Sequence, residues 1–434
     1  MLIGTRREMF TTAGLLVAAS GARPGAASGG PSIEQDLARY IALGGKASGG
    51  PGDEASGVWL EAELKACGYA TERQRFDAPY FETEHADLVS GDARASVLPQ
   101  AIVVQTGPEG VTGRLVRVTP LVPAEQALRG AIALVDLPYG RWSSAGAKPI
   151  LDTVRATFAD GAVAAVLVTN GPTGKAIALN CDGRRPVFGR PVAILAPELA
   201  VAFLAAAAGG ASATLRLTGK SGTRPAFNLI GRRERPGRPW IIISTPRSGW
   251  FTCAGERGPG VAAWLALARW APGALPDASL ALICNSGHEY ERLGAGFALQ
   301  VAPNPSRTAF WLHLGANVAA RDWHEIGGGR QSPLETADAQ RFLMVSPAHL
   351  ELARQAFLGL PGLGSPYPVG EGPAGELSNI IRAGYASVAG IFGAHRYHHT
   401  MEDDAHTVEP RLVEPVLGGC RALIEHAGGR FSGP

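Results

Sequence analysis

After residue 225 the hydrophobic pattern alternates between short apolar runs and longer stretches with helical spacing. The short runs, typical of buried strands, are "FNLIGRR", "WIIIST", "SLALICN", "AFWLHLGA", "RFLMVS" and "SVAGIF". Helical spacing occurs in "VAAWLALARWA", "HLELARQAFLGL", "LSNIIRAG" and "PRLVEPVLGGCRALIEH". This alternation predicts an α/β domain with helices on both faces of a sheet.

The residues before 225 follow two further patterns. "SIEQDLARYIALG" starts with a capping-box arrangement of Ser32 and Gln35, and "GVWLEAELKACGYATERQRF" predicts a helix followed by a strand. Residues 97–219 instead contain short β-type runs separated by Gly and Pro, with one helix at "ILDTVRATFADGA". "GKSGTRP" at residues 219–225 has the composition of a linker. The pattern therefore predicts a β-rich module, 97–219, inserted into a larger domain formed by 31–96 and 220–434.

The first thirty residues differ from the rest of the chain. Arg6 and Arg7 precede Phe10 and a short apolar run that ends in small residues, as in a twin-arginine export signal. An ordinary secretory signal and a cytosolic tail are the alternatives. We therefore expect residues 1–30 to direct export to the periplasm or the extracellular space.

Composition narrows the possible partners. Elsewhere the chain has no run of roughly 20 apolar residues, so we expect no membrane span in the mature protein. A formal net charge of +2 gives no electrostatic reason to expect nucleic-acid binding. The five cysteines are odd in number and form no CxxC pair, which indicates neither a zinc knuckle nor a disulfide framework. Disulfide pairing and oligomeric state stay open.

Candidate chemistry lies directly after the predicted strands. "NSGHEYERLGAG" follows "SLALICN" and contains His288 and Glu289, and "HRYHHTMEDDAHTV" follows "SVAGIF" and contains His399. The first stretch is not an HExxH helix, because Arg292 stands where the second histidine belongs. Loops at the carboxyl ends of strands are where ligands bind in α/β sheets, and imidazole with carboxylate suits zinc.

In order and spacing, these stretches resemble the zinc exopeptidases that include aminopeptidase Y, bacterial leucyl aminopeptidase and glutamate carboxypeptidase, with glutaminyl cyclase as a one-zinc relative. The resemblance covers essentially the whole mature chain. It implies a mixed-sheet, three-layer αβα domain. Residues 97–219, through "RGAIALVDL" and "FADGAVAAVLVTNG", resemble the protease-associated domain that is commonly inserted in this family.

The resemblance implies an altered metal site. Glu256 in "GERGPG", Glu289 in "HEYERLG" and His399 in "HTMED" match the ligands of one zinc. For the other zinc, Thr245 in "TPR" replaces a histidine and His313 replaces an aspartate, while Glu256 is the shared carboxylate. Arg247 also replaces an aspartate beside Thr245 and is expected to discourage a second cation. The expected cofactor is therefore one zinc ion rather than two, with a metal-free site as the alternative.

The remaining matches concern catalysis. His288 stands at the general-base position and Glu376 replaces the aspartate of a D-H stretch, while Arg247 and Arg257 are candidates near the mouth for holding a substrate carboxylate. We expect an exported metal-dependent hydrolase acting on a peptide or amide, with the particular substrate open. Two other hypotheses remain: a catalytically silent binding protein of this fold, and a metal-free hydrolase that uses Cys253 or Ser248 with His288.

Overall fold

The computed structural model describes residues 31–120, 127–327, 330–372 and 375–429. The predicted export signal, residues 1–30, lies outside them. From Ile33 onward the described residues belong to one compact unit.

Most α-helices of the described residues coincide with stretches of predicted helical spacing, whereas those at Pro197–Ala208 and Leu293–Val301 were not predicted. The α-helices are α1 (Ile33–Ala42), α2 (Pro51–Ala66), α3 (Lys148–Ala159), α4 (Pro197–Ala208), α5 (Ala254–Ala274), α6 (Leu293–Val301), α7 (Leu350–Ala356), α8 (Leu377–Arg382) and α9 (Val413–Gly429).

The strands include every predicted apolar run. They are β1 (Ala70–Ser90), β2 (Ala93–Ser96), β3 (Leu98–Pro99), β4 (Val111–Val118), β5 (Ile132–Asp136), β6 (Ala164–Val168), β7 (Val192–Leu195), β8 (Ser212–Arg233), β9 (Trp240–Pro246), β10 (Ser279–Asn285), β11 (Thr308–Leu314), β12 (Arg321–Glu325), β13 (Gln331–Ala337), β14 (Arg341–Val345), β15 (Tyr367–Pro368) and β16 (Val388–Gly393).

The predicted linker at 219–225 is wrong, because these residues lie in the middle of β8. β8 pairs with β1 as a long antiparallel two-stranded ribbon, from Ala70 opposite Arg232 to Val89 opposite Thr214, with one register shift between Thr83 and His85. β10 pairs with β8 only over residues 229–233 of β8. β4 pairs with β8 only over residues 212–215 of β8. The residues between them have one ladder partner, β1, and a proline is tolerated in a strand where no second neighbour needs its N–H. The Gly- and Pro-rich composition therefore marks a two-stranded ribbon.

The ribbon of β1 and β8 carries one continuous sheet from the larger domain into the inserted module. The strand order is β15-β14-β16-β11-β9-β10-β8 in the larger domain and continues as β4-β5-β6-β7-β3 in the module. Four adjacent strands of the larger domain run parallel to one another: β10, β9, β11 and β16. Their carboxyl ends, and the loops that follow them, therefore lie at one edge of the sheet.

Helices cover both faces of the larger sheet, as the apolar runs predicted. Along β9, Ile241 and Ile243 pack into the core formed with α1, α2, α5 and α9. Ile242 points to the other face, where it packs in a core that includes residues of α6 and α8. This period-two division between two cores is the physical basis of the mixed α/β, three-layer architecture.

The inserted module has the same layered construction on a smaller scale. On one face of its sheet, Leu134 of β5 lies in a core with Phe203 of α4. On the other face, Val135 of β5 lies in a core with Ile150 of α3. Its likeness to a protease-associated domain stays a prediction. Among the described residues, no helix is both long and apolar enough to cross a membrane.

Candidate functional site

Three loops at the carboxyl ends of the parallel strands carry most of the candidate residues. The first loop, 247–253, joins β9 to α5; the second, 286–292, joins β10 to α6; and the third, 394–412, joins β16 to α9. Because the strands are parallel, all three leave the sheet at the same edge. This topology explains why stretches that are far apart in the sequence come together at the carboxyl ends of the strands.

The first cluster forms where α5 begins. The Asp403 carboxylate accepts hydrogen bonds from the backbone N–H groups of Gly255 (2.6 Å) and Glu256 (3.0 Å). A carboxylate at this position satisfies helix N–H groups that lack a partner within the helix. Asp403 is itself held by the Thr407 hydroxyl at 2.7 Å and by His395 Nε2 at 3.2 Å. The third loop thus sets where α5 starts and where the Glu256 side chain lies.

Glu256 is the centre of the first cluster. Its Oε1 lies 3.2 Å from His399 Nε2, 3.8 Å from His398 Nδ1 and 2.6 Å from Nη2 of Arg257. The ring of His398 stacks on the ring of His399 with centroids 3.8 Å apart. Glu256, His398 and His399 are buried, and each offers one donor atom within 4.8 Å of the others. Glu256 Oε2 and His398 Nδ1 are buried without a hydrogen-bond partner among the residues described.

The orientation of His399 is set from the inserted module. Its Nδ1 lies 2.9 Å from the backbone carbonyl of Ala178. A carbonyl oxygen only accepts, so Nδ1 carries a proton and donates it. In a neutral ring this tautomer leaves a lone pair on Nε2, which faces the Glu256 carboxylate. Two lone-pair groups 3.2 Å apart need a second proton or a metal cation to stabilise them.

Charge in the first cluster depends on Arg257. Burial acts to raise the pKa of the Glu256 carboxyl, but Arg257 and then His399 outweigh it and hold that pKa well below its usual value. For His398, burial and the neighbouring His399 lower the pKa well below the usual histidine value. At neutral pH the cluster therefore contains an ionised carboxylate and a neutral His398, which are the protonation states that metal ligands require.

The second cluster has Glu376 at its centre. Glu376 Oε1 lies 3.1 Å from His288 Nδ1, and its Oε2 accepts a hydrogen bond from Asn285 Nδ2 at 3.0 Å. His313 Nε2 is 3.7 Å from Oε2 of the same carboxylate. His313 is oriented by Ser244, whose hydroxyl lies 2.9 Å from its Nδ1.

Burial and the contacts between Glu376 and the two histidines set the pKa values of the second cluster. Burial acts to raise the pKa of Glu376, but the hydrogen bond from His288 and the charges of the two histidines bring it to about 2. Burial lowers the pKa of His313 to about 4. The pKa of His288 is lowered, first by burial and then by the charge of Arg257. Near pH 7 the cluster is thus a carboxylate between two neutral imidazoles.

Both clusters border one cleft of about 1200 Å³. His288, His313, Glu376 and His398 contribute to its lining. The apolar part of the wall consists of Phe342, Met344, Leu358, Leu360 and Phe392, and the inserted module contributes Arg141, Ser143, Ser144 and Asn180. The cleft therefore combines an apolar wall with convergent polar groups, as small-molecule sites generally do.

Glu289 does not join Glu256 and His399. Its Oε1 accepts hydrogen bonds from the Ser48 backbone N–H and the Ser48 hydroxyl, both at 2.7 Å, and its Oε2 accepts one from Ser248 at 2.9 Å. These donors hold the carboxylate between α1–α2 connecting residues and the first loop. His398 stands with Glu256 and His399 instead. In the sequence, only the doubled histidine in "YHHT" pointed to His398. The family motif contains one histidine at this place, and the match assigned it to His399.

The prediction that Arg247 and Arg257 lie near the mouth is wrong, since both are fully buried. Arg247 pairs with Asp53 at 3.0 Å and donates to the carbonyls of Phe227 (2.8 Å) and Cys284 (3.1 Å). The Arg247 guanidinium therefore binds groups of α2 and of the sheet inside the protein. Arg257, not Arg247, is the cation beside the Glu256 carboxylate.

The other candidates have local partners. The Thr245 hydroxyl donates to the Leu314 carbonyl at 2.8 Å. Cys253 is buried with its Sγ 3.3 Å from the Tyr40 hydroxyl, and burial and Glu256 raise the pKa of its thiol well above the usual value. Ser248 donates to Glu289 and accepts from the backbone N–H of His288, so its contact with His288 is to the backbone and not to the ring.

Comparison with solved structures shows which class of protein has this fold. An aminopeptidase from Aneurinibacillus sp. strain AM-1 aligns over 92% of this chain and 93% of its own, with a TM-score of 0.63 and 18% identity. BSAP, a zinc aminopeptidase from Bacillus subtilis, aligns over 91% and 95%, with a TM-score of 0.69 and 16% identity. A peptidase precursor from Shewanella amazonensis SB2B aligns over 91% and 96%, with a TM-score of 0.67 and 15% identity.

The chain therefore has the zinc-aminopeptidase fold, as its sequence resemblance implied. No family model and no curated protein matches the sequence. At these identities the likeness defines the architecture, and the chemistry has to be argued from the side chains of this chain.

Proposed function

We propose that this protein is a metal-dependent hydrolase of peptide or amide bonds, with a single zinc ion bound by Glu256, His398 and His399. The observation that carries the proposal is the meeting of His399 Nε2 and the Glu256 carboxylate at 3.2 Å, with the proton of His399 committed to Ala178. A cation between or beside these two groups satisfies both. Two histidines and one glutamate are an established ligand set for catalytic zinc.

The donor atoms fit one such ion. Glu256 Oε2 and His398 Nδ1 are buried without a partner among the described residues; the carboxylate oxygen carries lone pairs, and Nδ1 carries one in the His398 tautomer protonated at Nε2. When bound, zinc supplies Lewis-acid polarisation of a carbonyl and lowers the pKa of a bound water. A second ion does not fit the same carboxylate, because the guanidinium of Arg257 already lies 2.6 Å from Glu256 Oε1.

His288 has the geometry of a general base. Its Nδ1 lies 3.1 Å from Glu376, so the carboxylate orients the ring and leaves Nε2 as the acceptor atom. The side chain of His288 is 14% exposed and lines the cleft, whereas Glu376 is buried behind it. The lowered pKa of His288 keeps its ring neutral near pH 7 and able to take a proton from water. Glu376 is then a positioning residue that also stabilises the imidazolium formed.

The proposal includes export by the twin-arginine-type signal at residues 1–30. Arg6 and Arg7 support it. Fractionation of cells producing the full chain is expected to place the protein outside the cytoplasm, and replacement of both arginines by lysine is expected to retain it inside. Equal distribution of the two forms would contradict this part.

A binding role without catalysis is the second candidate, and Arg257 favours it. The guanidinium already neutralises Glu256, which gives the cluster an internal cation and reduces its need for a metal. The metal-free hydrolase with a local nucleophile has less support. Cys253 contacts Tyr40 and is not among the residues that line the cleft, and the Ser248 hydroxyl donates its proton to Glu289.

Metal content and hydrolysis together distinguish these functions. We expect purified protein to contain about one zinc per chain and to cleave at least one of three substrate types: aminoacyl anilides, peptides cut at their carboxyl end, and N-acyl amino acids. His398→Ala and His399→Ala are expected to lose both zinc and activity. His324→Ala, at an exposed histidine, serves as the control and is expected to keep both. Activity in metal-free protein would overturn the zinc proposal, and zinc binding without hydrolysis would favour the binding role.

A further inference from the structure

One short segment of the inserted module contacts all three loops of the site. This segment, residues 178–181, lies between β6 and β7. The backbone N–H of Ala178 donates to the His399 carbonyl at 2.9 Å, and Nδ1 of the same histidine donates back to the Ala178 carbonyl. The backbone N–H of Cys181 donates to the Glu289 carbonyl at 3.1 Å. The third and second loops are therefore joined to the module by backbone hydrogen bonds.

The first loop is joined through a side chain. Trp250 Nε1 donates to Oδ1 of Asn180 at 2.8 Å. The backbone of Asn180 is fixed within the module, because its N–H donates to the Ser143 carbonyl and its carbonyl accepts from Ala145, both at 2.9 Å. Asn180 is 9% exposed, so this residue is held in place on several sides.

These contacts determine which way the Asn180 amide points. An indole N–H only donates, so the atom facing Trp250 is the amide oxygen and the NH₂ group lies on the other branch. Asn180 lines the cleft, and its backbone groups and Oδ1 are all occupied. Across the described parts of the chain, Nδ2 of Asn180 has no hydrogen-bond partner in the protein, so it is the donor that this residue has available for the cleft.

We propose that Asn180 is a substrate-binding residue, whose amide N–H donates a hydrogen bond to a carbonyl or carboxylate oxygen of the substrate. The inserted module is then part of the binding site. The cleft wall of Phe342, Met344, Leu358 and Phe392 provides the complementary apolar surface, so the favoured substrate is a peptide with an apolar side chain and an oxygen acceptor next to it. The choice of a peptide rests on the proposed function.

Asn180→Asp tests the donor with little change of shape. The aspartate keeps an oxygen for Trp250 and places a second oxygen where the NH₂ group was, so an acceptor on the substrate meets an acceptor on the protein. With leucylglycine and leucylglycinamide as probes, we expect KM to rise about 10-fold or more with kcat within about twofold, because one hydrogen bond is replaced by repulsion. Zinc content and melting temperature are expected to stay at the wild-type values, which a merely structural role of Asn180 would not predict.

Two further variants keep the test decisive. Asn304→Asp makes the same chemical change at the amino end of β11, the opposite edge of the sheet from the cleft, and is expected to leave KM unchanged. Asn180→Ala replaces Asn180→Asp if the aspartate lowers the melting temperature, and is expected to raise KM by a few-fold. If the acceptor is the terminal carboxylate, leucylglycine loses more affinity than leucylglycinamide; if it is a peptide carbonyl, both lose affinity alike.

Binding measured by calorimetry separates this proposal from the proposed function. A wild-type protein that binds the two peptides without hydrolysing them, with weaker binding to Asn180→Asp, supports the role of Asn180 and contradicts the hydrolase. Hydrolysis by the wild type with the same KM in Asn180→Asp and Asn304→Asp overturns the role of Asn180 alone. Absence of any binding to the wild-type protein overturns both.

Discussion

The two clusters of the cleft contain the same residue types but differ in the partners of their carboxylates. Each contains one buried glutamate and two histidines, which stack together on one side of Glu256 but lie at different oxygens of Glu376. Glu256 has an arginine against one oxygen and no hydrogen-bond partner among the described residues on the other, whereas both oxygens of Glu376 have partners in Asn285 and the histidines. Residue type alone therefore does not determine the role of either cluster. In the first cluster Glu256 Oε2 and His398 Nδ1 lack a hydrogen-bond partner among the described residues, whereas in the second His313 Nε2 lacks one and the Glu376 carboxylate orients His288.

Outside the proposed zinc ligands, the largest effect is expected from removing the base of the second cluster. His288→Gln is expected to lower kcat by about 10²–10⁴-fold, the usual contribution of a general base, with zinc content unchanged. Glu376→Gln is expected to have a smaller effect, because the ring stays in place and loses only its orienting partner. Steady-state kinetics with metal analysis provides the measurement, and His324→Gln is the control. Loss of zinc in His288→Gln would mean that the two clusters are one metal site.

Breaking the charge pair of the first cluster is expected to cost stability. Arg257→Met leaves the Glu256 carboxylate buried without its closest counter-charge, and such a change typically costs about 3–5 kcal/mol. Added zinc is expected to restore part of that loss, because it supplies the missing positive charge. Urea unfolding with and without zinc measures both effects, with the exposed Arg354→Met as the control. An equal loss in both conditions would argue against a cation beside Glu256.

Acid is expected to destabilise the second cluster. The folded-state pKa of His313 is about 4 against an ordinary value of 6.5, so below pH 6.5 the unfolded chain takes up a proton that the folded protein does not. Stability from this group is fully present above pH 6.5 and is lost as the pH falls toward 4, by up to about 3 kcal/mol. His313→Asn is expected to flatten this part of the stability profile between pH 7 and pH 4.5. A profile identical to wild type would contradict the assignment to His313.

The smallest effect is expected outside both clusters. Cys253→Ala removes a buried thiol that contacts Tyr40, whose hydroxyl keeps its bond to the Arg247 carbonyl at 2.7 Å. We expect kcat and KM to stay within about twofold of wild type, and the unfolding free energy to fall by about 1 kcal/mol. Loss of activity with an unchanged melting temperature would instead restore Cys253 as a nucleophile.

Much of the fold follows from local patterns, and the exceptions are instructive. β9, β10, β11 and β16 are buried on both faces, so their apolar runs are continuous and predictable. Residues 219–225 are misjudged because their composition suits a linker, and only their pairing with β1 makes them a strand. The likeness to zinc exopeptidases indicated the loops that meet, but not the direction of each side chain within them.

By itself, the sequence determined the strand and helix alternation, and it placed the candidate residues at strand ends, because hydrophobic periodicity and parallel topology are local or nearly local properties. Only the tertiary structure decided that His398 joins Glu256 and His399, that Ser48 and Ser248 hold Glu289, and that Arg257 and not Arg247 neutralises the first cluster. These outcomes depend on contacts between residues far apart in the chain. The hydrogen bond between Ala178 and His399 joins residues more than two hundred positions apart, and spacing along the chain holds no record of it.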